Sequence, residues 1–487
     1  MNYTEEQKNI LDVITSNESD SRVVTVNAVA GSGKTATCKA IIDTLKPTKG
    51  FYTAFNTGIV QDSKNRFGNK VEVKTLHALA YKYCKRKNIK ELTYHDITES
   101  VSYDDKYTVI QLLDDYFRSS ILDLNAFLEA HTESNEIAEL VYKYAGLMLN
   151  NKIPVTFNFL LKYFQMLLHD GHVNTDFDLL MLDECQDITE VTFEIFNLIN
   201  AKKKIMLGDT YQNIYSFMNT VNGFKLVDNP IKMTLTQSFR CSPEIAERVD
   251  AYGKKFLNKD FKFTGTEQVK EDETEAILSR TNASLISAII DNRPSSYKLI
   301  RSVDEIFALP LNLYLACIDK PIYDKKFKYL ETLKKEWKRS PTNGYYLDYV
   351  SVNLPLDIQV QTAINLIRRL NSLKINVFRL KEEVAKAQKP TANFTIATAH
   401  SYKGLEADKV TFSEDLNKSL STAYTDIVQI NNDSDNEFLN NDSDSDCVIK
   451  SGNQYPKRLT ETLNLYYVAM TRAKTKLEND LTGVLYA

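Results

Sequence analysis

One short stretch near the start of the chain has the residue types of a phosphate-binding turn. It reads Ala28-Val29-Ala30-Gly31-Ser32-Gly33-Lys34-Thr35. Glycines let backbone N–H groups approach an anion, and the N-terminus of a following helix adds partial positive charge. Lys34 is expected to reach the outer phosphates and Thr35 to hold Mg²⁺. Ala28 replaces the usual first glycine, and an ordinary surface turn is the alternative interpretation.

The residues on either side of this turn must place it at the end of a strand. Residues 23–26 are β-branched or apolar, as in a buried strand, and residues 36–45 have a helical pattern. Strand, glycine turn and helix is the arrangement that binds phosphate. The stretch therefore predicts a nucleoside triphosphate site.

A second strand end supplies carboxylates. In "FDLLMLDECQD", residues 177–182 are apolar apart from Asp178, which is typical of a parallel strand covered on both faces. Asp183 is expected to bind Mg²⁺ through water, and Glu184 to orient and deprotonate an attacking water. An acidic strand end exposed to solvent is the alternative. Together with the first motif, the pair predicts hydrolysis of the triphosphate.

Three further segments carry groups suited to phosphoryl transfer. Residues 204–207 form a predicted strand before "GDTYQNIYSF", so Asp209 and Gln212 lie at its carboxyl end, where α/β sheets bind ligands. "LTQSFRC" and "LYYVAMTRAK" place Arg240 and Arg472 beside aromatic residues. A planar guanidinium suits a transferring phosphoryl group, although a single arginine is most often a surface salt bridge.

Size and composition limit the class of protein. The 487 residues are 43% hydrophobic, enough for two to four domains. The polar, acidic N-terminus predicts no secretory signal and hence a cytoplasmic protein of a bacterium or a phage-infected host cell. The longest apolar stretch, residues 306–318, is interrupted by Pro310 and Asn312, so no membrane span is expected. Six cysteines without a C-x-x-C pair favour neither a zinc site nor a disulfide framework.

The net charge of −4 hides an uneven distribution. Residues 431–446 contain six acidic residues and no basic one, which leaves +2 on the rest of the chain. This tract is predicted to be a flexible acidic loop. A calcium loop is disfavoured, because Cys447 and Asn453 occupy the positions of the turn glycine and the bidentate glutamate.

The order of the motifs resembles superfamily 1 DNA helicases of the UvrD/Rep/PcrA type, in a compact, phage-like form. Nine short motifs follow in family order: Gln7, "AVAGSGKT", "AFN", "TLHALA", "DECQD", "GDTYQNIYSF", "QSFR", "HSYKGLE" and "YVAMTRAK". The resemblance implies an α/β fold with two RecA-like P-loop NTPase domains, parallel sheets flanked by helices, and helical accessory insertions. ATP and Mg²⁺ would bind in the cleft between the two domains.

The resemblance also assigns roles to residues at matching positions. The backbone and hydroxyl groups of the turn would hold the phosphates, namely those of Ala30, Gly31, Ser32, Gly33, Lys34 and Thr35. Gln7 would read the adenine, Phe239 would stack on it, and Glu406 would touch the ribose. Gln212 would sense the γ-phosphate, which Arg240 and Arg472 would reach when the cleft closes.

Single-stranded DNA would contact aromatic and polar side chains, because stacking holds any base without reading sequence. The family's DNA-contact motifs contain Phe55, Asn56, Thr75, His77, Tyr215, Phe217 and His400. Core packing is the alternative role for each aromatic residue among them. Ser238 and Phe239 stand where the family favours Asn and Tyr, and "AFNTGI" also departs from the usual order, which weakens the DNA assignments most. The expected partners are single-stranded and duplex DNA, with replication or repair proteins.

Four regions are predicted. Residues 1–87 and 170–232 form a first motor domain, and residues 88–169 a helical insertion. Residues 233–283 and 390–487 form a second motor domain, and residues 284–389 a reduced accessory domain. Within the last, residues 324–339 carry seven basic and three acidic residues. This segment either touches duplex DNA or is a solvated helix with a packed tryptophan.

The sequence thus predicts an ATP-dependent DNA helicase that moves along single-stranded DNA, 3′ to 5′, in replication, repair or recombination. Three alternatives stay open: a translocase that strips proteins from DNA without unwinding it, a P-loop small-molecule kinase, and the sister helicase branch of opposite polarity. The chain ends soon after "TRAK", so no nuclease domain is expected.

Overall fold

A computed structural model of the chain divides into two compact units, Met1–Thr236 and Gln237–Ala487. It describes residues 3–20, 22–54, 57–86, 88–93, 95–215, 219–268, 274–322, 324–339, 344–355, 357–435 and 455–481. Each unit contains one parallel sheet with helices around it, which confirms the predicted α/β class with two RecA-like domains. Among the helices in these ranges, none has the length and apolar character required to cross a membrane.

The first unit is built on a six-stranded sheet in the order β3-β2-β4-β5-β1-β6, in which every pairing is parallel. Its strands are β1 (Val24–Ala28), β2 (Gly50–Thr53), β3 (Glu72–Val73), β4 (Asp176–Leu182), β5 (Asn200–Gly208) and β6 (Ile231–Leu235). Leu180 and Leu182 of β4 enter one apolar cluster, and Leu179 and Met181 enter the cluster on the opposite face. The predicted parallel strand covered on both faces is therefore confirmed.

Nine helices of the first unit are described: α1 (Glu5–Thr15), α2 (Lys34–Leu45), α3 (Thr57–Phe67), α4 (Leu76–Cys84), α5 (Tyr103–Arg118), α6 (Leu124–His131), α7 (Asn135–Leu149), α8 (Phe157–His169) and α9 (Glu190–Leu198). Helices α5 to α8 lie in the connection between β3 and β4, within the segment predicted as an insertion. Each begins at a side chain that accepts a backbone N–H bond, namely Ser102, Asp123, Ser134 and Thr156.

A buried lysine joins the insertion helices. The Lys162 side chain on α8 is 1% exposed, and its amine donates to the carbonyl oxygens of Ser119 and Ile121 and to Oε1 of Gln165. Burial lowers the pKa of this amine to about 7. Because the amine is satisfied by neutral acceptors, it ties α8 to the chain that leaves α5.

The second unit has a five-stranded parallel sheet in the order β11-β10-β7-β9-β8. Its strands are β7 (Glu275–Ser279), β8 (Lys298–Leu299), β9 (Phe394–Thr398), β10 (Ala407–Phe412) and β11 (Ala473–Glu478). Its described helices are α10 (Pro243–Phe256), α11 (Asn282–Asn292), α12 (Val303–Cys317), α13 (Tyr329–Arg339), α14 (Tyr346–Asn353), α15 (Ile358–Ser372), α16 (Val377–Ala387), α17 (Glu414–Asp435) and α18 (Lys457–Met470). The exact boundaries of the four predicted regions stay predictions.

Helices α12 to α16 lie between β8 and β9 and share an apolar core with the sheet side of α11. In the basic segment, Trp337 of α13 packs edge-on against Tyr346, with ring centroids 5.8 Å apart. The Lys334 amine lies 4.4 Å from the Trp337 ring centroid and 4.5 Å from that of Tyr346. Trp337 is thus packed, as the interpretation of residues 324–339 as a helix with a packed tryptophan requires.

The acidic tract was predicted to be a loop throughout, and this is wrong for its first five residues. Helix α17 continues to Asp435, and residues 436–446 lie outside the described residues. Buried side chains recur along α17 at helical spacing, namely Leu416, Leu420, Ala423 and Ile427. Asn431 continues this face and accepts a hydrogen bond from the Tyr455 hydroxyl at 3.0 Å. Amphipathic packing therefore extends the helix into the acidic residues.

Gly253 on α10 is expected to be essential for packing. A Cβ built there would lie 2.0 Å from Cδ1 of Phe261, which is 4% exposed. Gly253→Ala should lower the free energy of unfolding by about 1–2 kcal/mol, because overpacking outweighs the better helix propensity of alanine. Gly146→Ala is the matched control: it lies on α7 with open space at Cβ and should stabilise by about 0.5–1 kcal/mol. Denaturant unfolding measures both, and equal stability of the two variants would contradict the packing argument.

Candidate nucleotide-hydrolysis site

The turn between β1 and α2 has the backbone geometry of a phosphate-binding loop. Gly31 and Gly33 adopt φ of 74° and 80°, a region that favours glycine. Ala28, the departure from the motif, is the last residue of β1 and fully buried. Ser32 is 2% exposed, and within the described part of the chain its hydroxyl has no hydrogen-bond partner. A buried hydroxyl in such a loop is a group that an incoming phosphate would satisfy.

Lys34 begins α2 and reaches a carboxylate at the end of β4. Its amine lies 2.7 Å from Oε1 of Glu184, and the two side chains are 15% and 16% exposed. Burial opposes the positive charge, but the nearby carboxylates, Glu184 first, outweigh it and raise the pKa of the Lys34 amine above its ordinary value. Lysine and glutamate, predicted from separate motifs, therefore meet in one place.

Asp183 directly follows β4 and is 2% exposed. Its Oδ1 accepts the Glu184 N–H at 2.8 Å, and its Oδ2 accepts the hydroxyl of Tyr52 on β2. Burial and the charge of Glu184 raise the pKa of Asp183, whereas Lys34 acts in the opposite direction. Burial and the charge of Asp183 also raise the pKa of Tyr52, so the phenol stays protonated and donates.

A chain of hydrogen bonds joins Glu184 to the segment after β5. Nε2 of Gln186 donates to Oε2 of Glu184 at 2.6 Å, and Oε1 of Gln186 accepts the Asp209 N–H at 3.1 Å. Nε2 of Gln212 then donates to Oδ2 of Asp209 at 2.8 Å. A Cβ at position 208 would lie 2.4 Å from Oε1 of Gln186, so a side chain there would displace this amide from its hydrogen bonds. The predicted catalytic carboxylate and the predicted γ-phosphate sensor thus belong to one network.

Gln7 lies on α1 and contacts the helix that follows the turn. Its Nε2 donates to Oγ1 of Thr37 at 3.1 Å, and its Oε1 accepts the Thr4 N–H at 3.1 Å. The Thr37 hydroxyl in turn donates to the Gly33 carbonyl at 3.1 Å. Gln7 is therefore two hydrogen bonds away from the phosphate loop, and its contact with adenine stays a prediction.

Arg240 and Arg472 lie together within the second unit. NH1 of Arg240 donates to the Thr471 carbonyl at 3.2 Å, and NH2 of Arg472 donates to Oγ1 of Thr471 at 3.0 Å. Arg472 is 1% exposed and also donates to the carbonyl oxygens of Val468 and Leu405, at 2.9 and 3.4 Å. This buried guanidinium is fixed by neutral oxygen atoms.

Glu406 binds two cations in the same cluster. Its carboxylate lies 2.7 Å from Nε of Arg240 and 3.1 Å from the Lys474 amine. Burial opposes ionisation, but Arg240 and then Lys474 outweigh it and lower the pKa of Glu406. The Phe239 ring, next to Arg240, is 45% exposed, as a stacking surface requires. The contacts of Glu406 with ribose and of Phe239 with adenine stay predictions.

The predicted DNA contacts are only partly described. Phe55, Asn56 and Phe217 lie outside the described residues. Thr75 caps α4 by accepting the Ala78 N–H at 3.2 Å, and burial lowers the pKa of His77 to about 4, which keeps it neutral near pH 7.

Thr75 and His77 line a cavity of about 140 Å³ that Thr53, Asn158 and Thr189 also reach. Tyr215 is half-buried. His400 belongs to the second unit, where its Nε2 lies 3.7 Å from Oε1 of Glu461, and burial lowers the pKa of its ring. The structure thus joins two of the seven predicted DNA contacts, Thr75 and His77, in one cavity wall.

Several residues of these networks were missed in the sequence. Tyr52 reads as an ordinary strand residue, and Asn27, whose Oδ1 accepts the Thr210 N–H at 3.0 Å, reads as a polar strand end. Gln186 and Lys474 lie inside the motifs "DECQD" and "YVAMTRAK", and this location could have identified them as site residues. Their partners depend on strand pairing, which no local pattern contains.

Comparison with known families covers almost the whole chain. Residues 12–218 match the AAA domain, and residues 171–478 match the UvrD-like helicase C-terminal domain. The second match alone spans more than half of the chain.

Two curated relatives are similar along the length of this chain. F-box DNA helicase 1 of Gallus gallus is 24% identical over 517 aligned residues, which cover 93% of this chain and 47% of the relative. F-box DNA helicase protein 1 of Schizosaccharomyces pombe is 22% identical over 548 aligned residues, which cover 99% of this chain and 58% of the relative. The chain spans about half the length of these relatives. As the order of its motifs predicted, the chain belongs to the UvrD-like helicases.

Proposed function

We propose that the chain is an ATP-dependent DNA helicase that moves along single-stranded DNA and separates duplex strands. The observation that carries the proposal is the meeting of Lys34, Asp183 and Glu184 at the carboxyl ends of two parallel strands. Family membership and the names of the two relatives, both DNA helicases, support DNA as the substrate. Duplex unwinding, direction and pathway go beyond these observations and are part of the proposal.

The phosphate loop fits the triphosphate of ATP. Its two glycines with positive φ open the backbone, and the unpartnered Ser32 hydroxyl supplies a polar group. The Lys34 amine exchanges Glu184 for the β- and γ-phosphates when ATP binds. The Thr35 hydroxyl, in the first turn of α2, would hold Mg²⁺, and the Asp183 carboxylate would bind it through water. When bound, Mg²⁺ offsets the negative charge of the phosphates.

Glu184 activates water once Lys34 has moved to the phosphates. The water oxygen forms a bond to the γ-phosphorus while its proton passes to the Glu184 carboxylate. The bond from the γ-phosphorus to the bridging oxygen breaks, which leaves ADP and phosphate. Gln186 keeps its hydrogen bond to Oε2 of Glu184, so the carboxylate stays oriented after the lysine has left. Arg240 and Arg472 stabilise the charge that develops in the transition state.

Single-stranded DNA binds at the family's contact motifs, and the enzyme moves along it 3′ to 5′ with each cycle of hydrolysis. Gln212 shares the segment after β5 with Tyr215, so the network from Glu184 to Gln212 ends three residues from a predicted DNA contact. DNA binding near Tyr215 thereby affects the Glu184 carboxylate through this network. Replication, repair or recombination is the proposed setting.

The central experiment measures ATP hydrolysis with and without single-stranded DNA, and strand separation of duplexes with a 3′ or a 5′ tail. We expect DNA to stimulate hydrolysis and the 3′-tailed duplex to be separated. Separation of only the 5′-tailed duplex would reverse the proposed direction. Stimulation without any strand separation would support a translocase that removes proteins from DNA, and hydrolysis indifferent to DNA would contradict a nucleic-acid motor.

Glu184→Gln should uncouple binding from hydrolysis. Glutamine cannot accept the proton from water, so kcat should fall by about 10²–10⁴-fold while a fluorescent ATP analogue still binds. Glu72→Gln is the control, because Glu72 forms an ion pair with Lys74 on the same unit at 2.6 Å. Normal turnover by Glu184→Gln would exclude the proposed water activation.

Arg240→Ala should lower kcat by about 10³-fold with little change in ATP affinity, since the guanidinium acts on transition-state charge. Arg240→Lys should recover only part of the rate, because an ammonium lacks the planar fork. Arg379→Ala is the control in the same unit, where Arg379 pairs with Glu383 on an exposed helix face. Equal rates for the Arg240 and Arg379 variants would remove Arg240 from the proposed chemistry.

A further inference from the structure

Tyr52 is a fully buried tyrosine whose hydroxyl donates to Oδ2 of Asp183. Packing alone would accept a phenylalanine at this strand position, so the hydroxyl needs its own explanation. Strands β2 and β4 pair in parallel with Tyr52 opposite Met181, and the Asp183 N–H donates to the Thr53 carbonyl at 2.9 Å. Strand register therefore brings the phenol to the first residue after β4.

The two oxygen atoms of Asp183 are held from two directions. Oδ1 accepts the backbone N–H of Glu184 at 2.8 Å, and Oδ2 accepts the Tyr52 hydroxyl. The phenol ring itself is restrained by the edge of Phe67 on α3, with centroids 5.0 Å apart and planes at 76°. A carboxylate held through both oxygens has one orientation, yet each oxygen keeps a further lone pair for a ligand.

We propose that Tyr52 is a positioning residue that fixes the Asp183 carboxylate for the Mg²⁺ of the bound nucleotide. The inference rests on the proposed function and adds a residue to it. Hydrogen-bond partners of metal-binding carboxylates set ligand orientation, and their loss typically weakens metal affinity by about 10–100-fold. Without the phenol, Oδ2 of Asp183 would lose its donor in a buried site, and the carboxylate would rotate.

The test compares the wild-type chain with Tyr52→Phe in two binding measurements. Fluorescent ADP is titrated without divalent metal, and Mn²⁺ is titrated in the presence of ADP with detection by electron paramagnetic resonance. We expect Tyr52→Phe to weaken Mn²⁺ binding by about 10-fold and to leave metal-free ADP binding unchanged. In ATP hydrolysis, the Mg²⁺ concentration for half-maximal rate should rise, and kcat should recover at saturating Mg²⁺.

Tyr116→Phe is the matched control. Tyr116 is 3% exposed, and its hydroxyl donates to the Leu122 carbonyl at 2.6 Å, so this variant loses a buried phenol bond away from the proposed site. It should bind Mn²⁺ as the wild type does. Equal Mn²⁺ affinity of the two variants would overturn the positioning role. The same would follow if Tyr52→Phe lost metal-free ADP binding as strongly as Mn²⁺ binding. Failure of the wild-type chain to bind ADP at all would instead overturn the proposed function.

Discussion

The ion pair between Lys34 and Glu184 is the interaction that connects the separate parts of the candidate site in the first unit. It joins α2 to the end of β4, two elements that the strand order β4-β5-β1 separates by a whole strand. Such a pair loses much of its hydration, and its attraction compensates only when further hydrogen bonds satisfy the remaining atoms. Gln186 does so by donating to the second oxygen of Glu184. The carboxyl ends of β4 and β5 thus place these groups at one edge of the sheet.

The same edge of the sheet is closely packed around two glycines. Gly208 must lack a side chain because Gln186 lies over it, and Gly223 must lack one because Met206 and Ile188 lie within 2.7 Å of a built Cβ. Both glycines pack close to the segment that starts at Asp183. Because Gly208 has no side chain, the Gln186 amide can form hydrogen bonds to residues after both β4 and β5. The polar network is therefore supported by tight packing beneath it.

The sequence predicted the residues of the candidate site better than the contacts between them. Lys34, Asp183 and Glu184 were predictable because each follows a strand, and parallel strands end at one edge. Tyr52 was not, because its contact depends on the register of β2 against β4, which a local pattern does not contain. The acidic tract shows the converse: its composition predicts a loop, but the buried face of α17 extends through Ile427 and beyond. Local composition and tertiary packing disagreed there, and packing decided the structure.

Arg240 and Arg472 are held in different ways within the second unit. Arg472 donates to the oxygens of Val468, Leu405 and Thr471, which orient its guanidinium. Arg240 instead pairs with the Glu406 carboxylate, which Lys474 shares. In the proposed hydrolysis, a phosphate that recruits Arg240 would compete with Glu406, and Arg472 would act by fixing Thr471, whose carbonyl accepts a hydrogen bond from Arg240. Lys474 would compensate for that exchange, because its ion pair with Glu406 does not involve Arg240.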